Sequence, residues 1–159
     1  MKRIYVNEEW CLGCHLCEYN CAFANTASAG KSKANEMAKA LKGKKIYPKI
    51  QVEENDGIYF AVSCRHCTEP LCVKSCISGA LTLNDGLIEL DQDKCVGCYT
   101  CILSCPYGAI MPADNGHVAQ KCELCTKNSC GAPACVAGCP NNATVYELSL
   151  IHISEPTRH

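Results

Sequence analysis

Four cysteines within eleven residues, in the run CVGCYTCILSCP at residues 95–106, constrain this chain more than any other feature. Two cysteines separated by two residues can hold one metal ion. A third cysteine only three residues later must share a centre with them or point elsewhere. The spacing therefore predicts a metal centre larger than a single ion, and the question is whether the rest of the chain meets the same need.

The 159-residue chain contains 17 cysteines, and they fall into four groups. The first and third groups share the spacing C-x2-C-x2-C-x3-C, the second is C-x2-C-x4-C-x3-C, and the fourth has one cysteine too many. The groups are Cys11, Cys14, Cys17 and Cys21; Cys64, Cys67, Cys72 and Cys76; Cys95, Cys98, Cys101 and Cys105; and Cys122, Cys125, Cys130, Cys135 and Cys139.

The surplus cysteine is identified by aligning the second group with the fourth. EPLCVKSCISGAL matches APACVAGCPNNAT in a Pro-x-Cys-Val-x-x-Cys frame, which selects Cys135 as a ligand and leaves Cys130 outside. The rival assignment is that Cys125-x4-Cys130 copies the Cys67-x4-Cys72 spacing. Only Cys135 has another cysteine four residues later, so we expect Cys130 to be an incidental thiol.

A loop wrapped around a [4Fe–4S] cubane fits these spacings, because each of four corner irons takes one thiolate. The third and fourth cysteines of a group are expected one turn apart on a helix, where the fourth can serve a neighbouring cluster. Gly13 and Gly97 precede second cysteines and are expected at positive φ, which lets amides approach the cluster. Pro106 and Pro140 follow fourth cysteines and turn the chain away.

Other chemistries fit less well. Zinc sites use pairs of C-x2-C knuckles with a longer gap between them, and these groups are too tightly packed. The CLGCH run ending at His15 matches a c-type haem motif, but the other groups have no equivalent histidine. We expect His66 and His117 to be surface or packing residues. The sequence contains no Gly-rich phosphate loop, flavin fingerprint or paired catalytic carboxylates, so the chemistry belongs to the clusters.

Composition limits the remaining classes. With one Trp, two Phe and seven Tyr, the hydrophobic core is expected to be thin for this length. Fifteen basic and sixteen acidic residues give no indication of nucleic-acid binding. Neither an export signal nor an apolar run long enough to cross a membrane is found, so we expect a reducing cytoplasm rather than a disulfide scaffold.

Short extended segments separate the cysteine groups. RIYV at 3–6 and GIYFAV at 57–62 read as strands, and hairpins are predicted around the Asn84-Asp85-Gly86 and Asp114-Asn115-Gly116 turns. Residues 22–56 are predicted to be a polar loop with a short helix around 35–42, either a solvated connector or a docking surface. The end of the chain, 148–159, resembles a translated sequencing adapter, so we expect it to be an artefact that replaces the natural carboxyl terminus.

The motifs CLGCHLCEYNC, CRHCTEPLCVKSC, CVGCYTCILSCP and KCELC with PACVAGCP resemble those of a known family. This is the family of four-cluster ferredoxin-type electron-transfer subunits, found with hydrogenases, formate dehydrogenases, carbon monoxide dehydrogenase and dimethyl-sulfoxide-reductase-type enzymes. The resemblance covers residues 1–147. It is strongest to small iron–sulfur proteins that accompany carbon monoxide dehydrogenases or flavin-dependent oxidoreductases in anaerobes.

The resemblance implies an α+β fold of two bacterial-ferredoxin-like modules, one inserted in the other, with small hairpins and short helices around the clusters. The outer module would be 1–30 plus 117–147, the inner module 58–116, and the connector 31–57. It also implies four [4Fe–4S] clusters with swapped fourth ligands. The sets would be Cys11, Cys14, Cys17 with Cys139; Cys122, Cys125, Cys135 with Cys21; Cys64, Cys67, Cys72 with Cys105; and Cys95, Cys98, Cys101 with Cys76.

The function that follows is a relay of single electrons between a catalytic oxidoreductase subunit and an acceptor, with no catalytic site in this chain. The partner would be of the carbon monoxide dehydrogenase, hydrogenase, formate dehydrogenase or flavin-dependent oxidoreductase type. Two alternatives stay open. One is a redox or oxygen sensor that responds to cluster loss, and the other is a structural scaffold whose clusters never cycle electrons.

Overall fold

Eight short strands in the computed structural model form four separate antiparallel ribbons. The structure describes residues 1–25, 42–43, 46–113, 119–126 and 132–148. The strands are β1 (Arg3–Val6), β2 (Ile50–Asn55), β3 (Ile58–Ser63), β4 (Leu81–Asn84), β5 (Leu87–Leu90), β6 (Ile110–Pro112), β7 (Ala119–Lys121) and β8 (Thr144–Glu147). The helices are α1 (Leu16–Ala24), α2 (Leu71–Lys74), α3 (Thr100–Ser104) and α4 (Ala134–Ala137).

The first and last strands pair with each other. In this ribbon Arg3 of β1 lies opposite Glu147 of β8, and Val6 lies opposite Thr144. The other three ribbons join strands that are neighbours in sequence, β2 with β3, β4 with β5 and β6 with β7. The β1–β8 ribbon therefore brings the two ends of the described fold together around everything between them.

Both predicted hairpins are confirmed as strand pairs. Asp85 and Gly86, between β4 and β5, have φ of 47° and 82°, which is the backbone that a two-residue hairpin turn of type I′ requires. The turn between β6 and β7 lies outside the described residues. The predicted strands at 3–6 and 57–62 are also present as β1 and β3.

The prediction of a loop throughout 22–56 is wrong at both ends. Helix α1 continues to Ala24, and residues 50–55 form β2, which pairs with β3. The sequence does carry a signal for this third hairpin, because Asn55-Asp56-Gly57 repeats the Asn-Asp-Gly turn found at 84–86. Asp56 and Gly57 have the same positive φ values, 50° and 79°. The predicted helix at 35–42 lies outside the described residues, apart from Lys42.

Buried side chains form two hydrophobic cores. One combines Ile4, Ile50, Ala61, Ala109 and Leu124 with five cysteines, Cys17, Cys21, Cys64, Cys122 and Cys135. The other contains Cys72, Ala80, Leu81, Ile88, Leu90, Cys101, Ile110 and Ala119. As expected from the composition, neither core is built around an aromatic residue. No helix among the described residues is long and apolar enough to cross a membrane.

We expect Gly13→Ala to destabilise the fold strongly. Gly13 has φ of 62°, and a Cβ there would lie 2.5 Å from the ring of Tyr59 on β3. Left-handed backbone and overpacking together should cost about 3 kcal/mol. Anaerobic thermal unfolding of the metal-loaded protein measures this.

Gly108→Ala is the matched control. Gly108 has φ of 61°, but a Cβ there would meet no atom within 4 Å. It should lose only the left-handed preference, about 1 kcal/mol. Equal destabilisation by the two substitutions would contradict the contact between the cysteine loop and Tyr59.

Candidate metal centres

The backbone makes the same turn in all four cysteine groups. The residue before the second cysteine has positive φ in each, with 62° at Gly13, 46° at His66, 69° at Gly97 and 56° at Leu124. The prediction for Gly13 and Gly97 is confirmed. At the other two positions a side chain adopts this conformation despite a cost of about 1–2 kcal/mol, so surrounding packing must hold these loops in place.

Two cavities are lined by three cysteines of one group and one of another. A cavity of about 210 Å³ is lined by Cys64, Cys67, Cys72 and Cys105. A smaller one, of about 20 Å³, is lined by Cys11, Cys14, Cys17 and Cys139. In both, the fourth thiol comes from a distant segment of the chain, 33 residues or more away from the third.

Electrostatic proximity shows which thiols are neighbours in the remaining two groups. Burial raises the pKa of Cys101, and the nearby Cys95 and Cys76 raise it further. Burial likewise raises the pKa of Cys135, and the next largest contributions come from Cys122, Cys21 and Cys125. Cys76 therefore lies near the third group and Cys21 near the fourth, and their assignment as fourth ligands stays a prediction.

In three of the four groups, the fourth cysteine lies just after a short helix and not within it. Helices α2, α3 and α4 end at Lys74, Ser104 and Ala137, before Cys76, Cys105 and Cys139. Each is followed by a turn residue with positive φ, namely Gly79, Gly108 and Asn142, then by a buried alanine and a strand. The prediction that third and fourth cysteines share a helix holds only for Cys17 and Cys21 on α1.

This turn provides hydrogen bonds to the fourth cysteine. Burial acts to raise the pKa of Cys139, but the Thr144 side chain and the backbone N–H groups of Thr144, Asn141 and Ala143 bring it below its usual value. Burial also acts to raise the pKa of Cys76, but hydrogen-bond donors on Leu81, Ser78 and Ala80 bring it below its usual value. These donors, in the turn and at the first residue of the following strand, favour the thiolate form of the fourth cysteine.

Cys21 receives its donors from elsewhere. Because α1 continues past it, no local turn is available, and the backbone N–H of Lys49 donates to Cys21 Sγ at 3.2 Å. Asn25 Nδ2 lies 3.7 Å from the same sulfur. Burial nevertheless raises the pKa of Cys21 to about 11. The segment that precedes β2 therefore replaces the missing turn.

Buried thiols need a cation to become thiolates. Burial raises the pKa of Cys17 and of Cys122 to about 12, and that of Cys72 to about 11. A thiol in such a site stays protonated unless bound metal stabilises the charge. All sixteen cysteines that the structure describes are free thiols, so the donor set, soft sulfur throughout, suits iron–sulfur clusters.

The spacing of these side chains does not suit single ions. Among the described residues, no group of three or more His, Cys, Asp or Glu side chains is placed to hold one metal ion. Four thiolates around one zinc ion would lie about 3.8 Å apart, given Zn–S bonds of about 2.3 Å. Thiolates that bind the separate corners of a cubane lie further apart than those around one ion.

The two candidate histidines have separate roles. His15 is the left-handed residue after Cys14, and its Nδ1 lies 2.9 Å from the Glu18 carboxylate. Glu18 also accepts a hydrogen bond from Val52 N–H at 2.7 Å, which joins the first cysteine loop to β2. His66 is completely buried, so the packing interpretation is confirmed. His117 and Cys130 lie outside the described residues.

The third cysteines position equivalent residues between paired helices. Three residues after Cys72 and Cys101 lie Ser75 and Ser104, whose hydroxyls are 2.8 Å apart. The corresponding residues after Cys17 and Cys135 are Asn20 and Gly138, and a Cβ on Gly138 would lie 2.1 Å from Asn20 Nδ2. Both helix pairs thus meet at the same position. In one pair two small serine side chains meet, and in the other the larger Asn20 side chain packs against Gly138. The sequence shows that the four residues occupy equivalent positions in the four groups, but not that they meet in pairs.

This chain is similar in sequence to known iron–sulfur proteins. Residues 55–147 match a family described as a 4Fe-4S dicluster domain. An iron-sulfur protein of Rhodospirillum rubrum is 35% identical over 154 residues, with 88% of this chain and 78% of that protein covered. The electron transport protein HydN of Escherichia coli strain K12 is 31% identical over 151 residues, with 85% and 81% covered.

A third relative is much longer. The putative oxidoreductase AegA of Escherichia coli strain K12 is 36% identical over 147 residues, which cover 88% of this chain but only 21% of AegA. This chain therefore spans about a fifth of the length of that relative.

Proposed function

This chain belongs to the 4Fe-4S dicluster family of ferredoxin-type proteins, and from that premise we propose that it relays single electrons through four [4Fe–4S] clusters. The relay joins a catalytic oxidoreductase subunit to an acceptor. The partner is of the hydrogenase, formate dehydrogenase, carbon monoxide dehydrogenase or flavin-dependent type. Relatives named as an electron transport protein and as a putative oxidoreductase support this role.

The observation that carries the proposal is the arrangement of sixteen cysteines as three plus one. Each proposed set takes three thiols from one cysteine group, and a cysteine of another group lies near them. One bound [4Fe–4S] cluster takes four thiolates and accepts or releases one electron. Four such sets in one small chain support a row of redox centres in preference to a single one.

Two modules, with one inserted in the other, account for the architecture. The inner module, 58–116, contains the α2–α3 helix pair with its Ser75–Ser104 contact. The outer module, 1–30 plus 117–147, contains α1 and α4 and is closed by the β1–β8 ribbon. Each module would hold two clusters, and residues 31–57 would connect them.

The described β2–β3 hairpin modifies this boundary. Val52 and Lys49 donate to Glu18 and Cys21 of α1, and Tyr59 packs on Gly13. The start of β3 therefore contacts the outer module, although the boundary at residue 58 assigns it to the inner one. We propose that this hairpin serves as the cover of the outer module.

The protein's own groups hold and stabilise the charged thiolates. Thr100 donates to Cys98 from its backbone N–H and from its hydroxyl, and both lower the pKa of Cys98. Leu124 N–H lies 3.4 Å from Cys122 Sγ. Hydrogen bonds of this kind, together with burial, set the potential of a cluster. The proposal assigns the chain no catalytic site of its own.

The test is metal analysis and redox titration of anaerobically purified protein. Four clusters require about sixteen irons per chain, and two require about eight. We expect about sixteen, with centres that reduce and reoxidise reversibly. Stoichiometric zinc, or clusters that cannot be reduced in the accessible range, would rule the relay out.

A further inference from the structure

Lys121, at the end of β7, has a charged side chain in an unusually buried position. Only 1% of its surface is exposed, and it directly precedes Cys122. Its Nζ donates to Ile88, which lines the cavity of Cys64, Cys67, Cys72 and Cys105, whereas the adjacent Cys122 belongs to another set. Lys121 therefore lies where the two proposed modules meet, between two cysteine sets.

Hydrogen bonds fix the side chain in this position. Lys121 Nζ donates to the carbonyl oxygen of Ile88 and, at 2.8 Å, to that of Cys122. The N–H of the same Ile88 donates to His66 Nδ1 at 3.1 Å. The backbone of Ile88 in β5 is thus held by His66 of one cysteine loop and by Lys121, the residue before another.

A buried ammonium is costly unless negative charge lies close by. The two carbonyl oxygens that accept from Lys121 Nζ carry no net charge, whereas the proposed ligands beside them, Cys122 and the cysteines of the cavity that Ile88 lines, become thiolates when they bind metal. Clusters bound through these thiolates would be permanently negative, so they supply the charge that makes a buried cation favourable here.

Lys94 provides a natural comparison. It directly precedes Cys95 in DKCVGC, as Lys121 precedes Cys122 in QKCELC. The side chain of Lys94 is 66% exposed and forms a salt bridge with Asp91 at 3.1 Å. Since water and salt screen exposed charges strongly, the same residue at the same motif position should act on its cluster only weakly.

We infer that the buried ammonium of Lys121 raises the reduction potentials of the two clusters at the module boundary. These are the clusters on Cys64, Cys67, Cys72 and Cys105 and on Cys21, Cys122, Cys125 and Cys135. Reduction adds one electron to a cluster, and a fixed buried cation stabilises the added negative charge. The inference rests on the proposed function, because it requires clusters at both sets.

The test is an anaerobic redox titration of the full chain, monitored by electron paramagnetic resonance, with Lys121→Met, Lys121→Gln and Lys94→Met. Both Lys121 variants should lower two of the four midpoint potentials. The ratio of reduced to oxidised cluster at a fixed potential should fall about tenfold, which corresponds to about 59 mV for one electron. Lys94→Met should shift no centre by that amount.

The outcomes separate this inference from the function. Four reducible centres whose potentials do not change in the Lys121 variants would overturn the inference and leave the relay intact. So would an equal shift of all four, or an equal effect of Lys94→Met. Too few irons in the unchanged protein would overturn the function itself. Lys121→Gln keeps a donor for the two carbonyls, and if neither Lys121→Gln nor Lys121→Met assembles its clusters, the role is structural and the inference fails.

Discussion

Protein from which iron has been removed is expected to lose its fold. In the part of the chain that the structure describes, three of the four helices have only four or five residues, and every sheet is a two-stranded ribbon. Neither element is stable alone in water. Half of the residues in the larger core are cysteines, so their sulfur atoms lose their shared partner when the metal leaves. Structural metal commonly supplies the folding free energy of such small domains.

The measurement is amide hydrogen exchange of the metal-loaded and the chelated, reduced protein under anaerobic conditions. We expect protected amides in the β1–β8 ribbon only in the loaded form, and no cooperative thermal transition in the chelated one. A chelated protein that keeps β1–β8 protected would contradict metal-dependent folding.

The stability of the loaded protein and that of any fold that survives metal removal should depend on pH with opposite signs. In the metal-free fold the pKa of Cys17 and Cys122 rises from 9.0 to about 12 because of burial. A raised pKa contributes stability that is complete below pH 9.0 and is lost as the pH rises through about 12. Any residual metal-free fold should therefore disappear in alkali. The loaded protein should instead lose stability in acid, because protons compete with iron for thiolates.

Cys135→Ser is expected to remove one cluster, whereas Cys130→Ser should remove none. Cys135 lies on α4 with 4% of its surface exposed, surrounded by Cys122, Cys21 and Cys125. A hydroxyl there cannot replace the thiolate. Iron content should fall from about sixteen towards twelve per chain, and one redox centre should be lost.

The control, Cys130→Ser, makes the same chemical change at a different position. Cys130→Ser also replaces one thiol of the fourth group, at the position outside the shared Pro-x-Cys-Val-x-x-Cys frame. We expect full iron content and unchanged midpoint potentials. The opposite pattern, with iron lost from Cys130→Ser and kept in Cys135→Ser, would exchange the two assignments.

Local features of the fold were predictable because they depend on residues close together in sequence. The Asn-Asp-Gly turn at 84–86 fixes a hairpin through positive φ at its centre, and Gly13 and Gly97 turn the cysteine loops in the same way. The hairpin at β2–β3 was missed although it has the same turn residues. Its first strand alternates Ile50 and Val52 with Gln51 and Glu53, but this short alternation lies at the end of a polar segment and does not stand out from it.

Contacts between distant segments could not be predicted in this way. The donation from Lys49 N–H to Cys21 Sγ joins residues 28 positions apart, and nothing near Lys49 in the sequence indicates it. Lys94 and Lys121 occupy the same position in similar motifs, yet one is exposed and the other is buried. The difference arises from the strands and loops that surround each lysine.

By itself, the sequence determined the chemistry and the local geometry of the sites, because cysteine spacing dictates how one short loop can wrap a cluster. Spacing alone did not assign a fourth thiol to each set of three, and only the tertiary structure decided which of the two equivalent lysines is buried. Those choices depend on the packing of helices and ribbons from opposite ends of the chain. The packing free energy is a sum over many distant contacts, and no single motif encodes it.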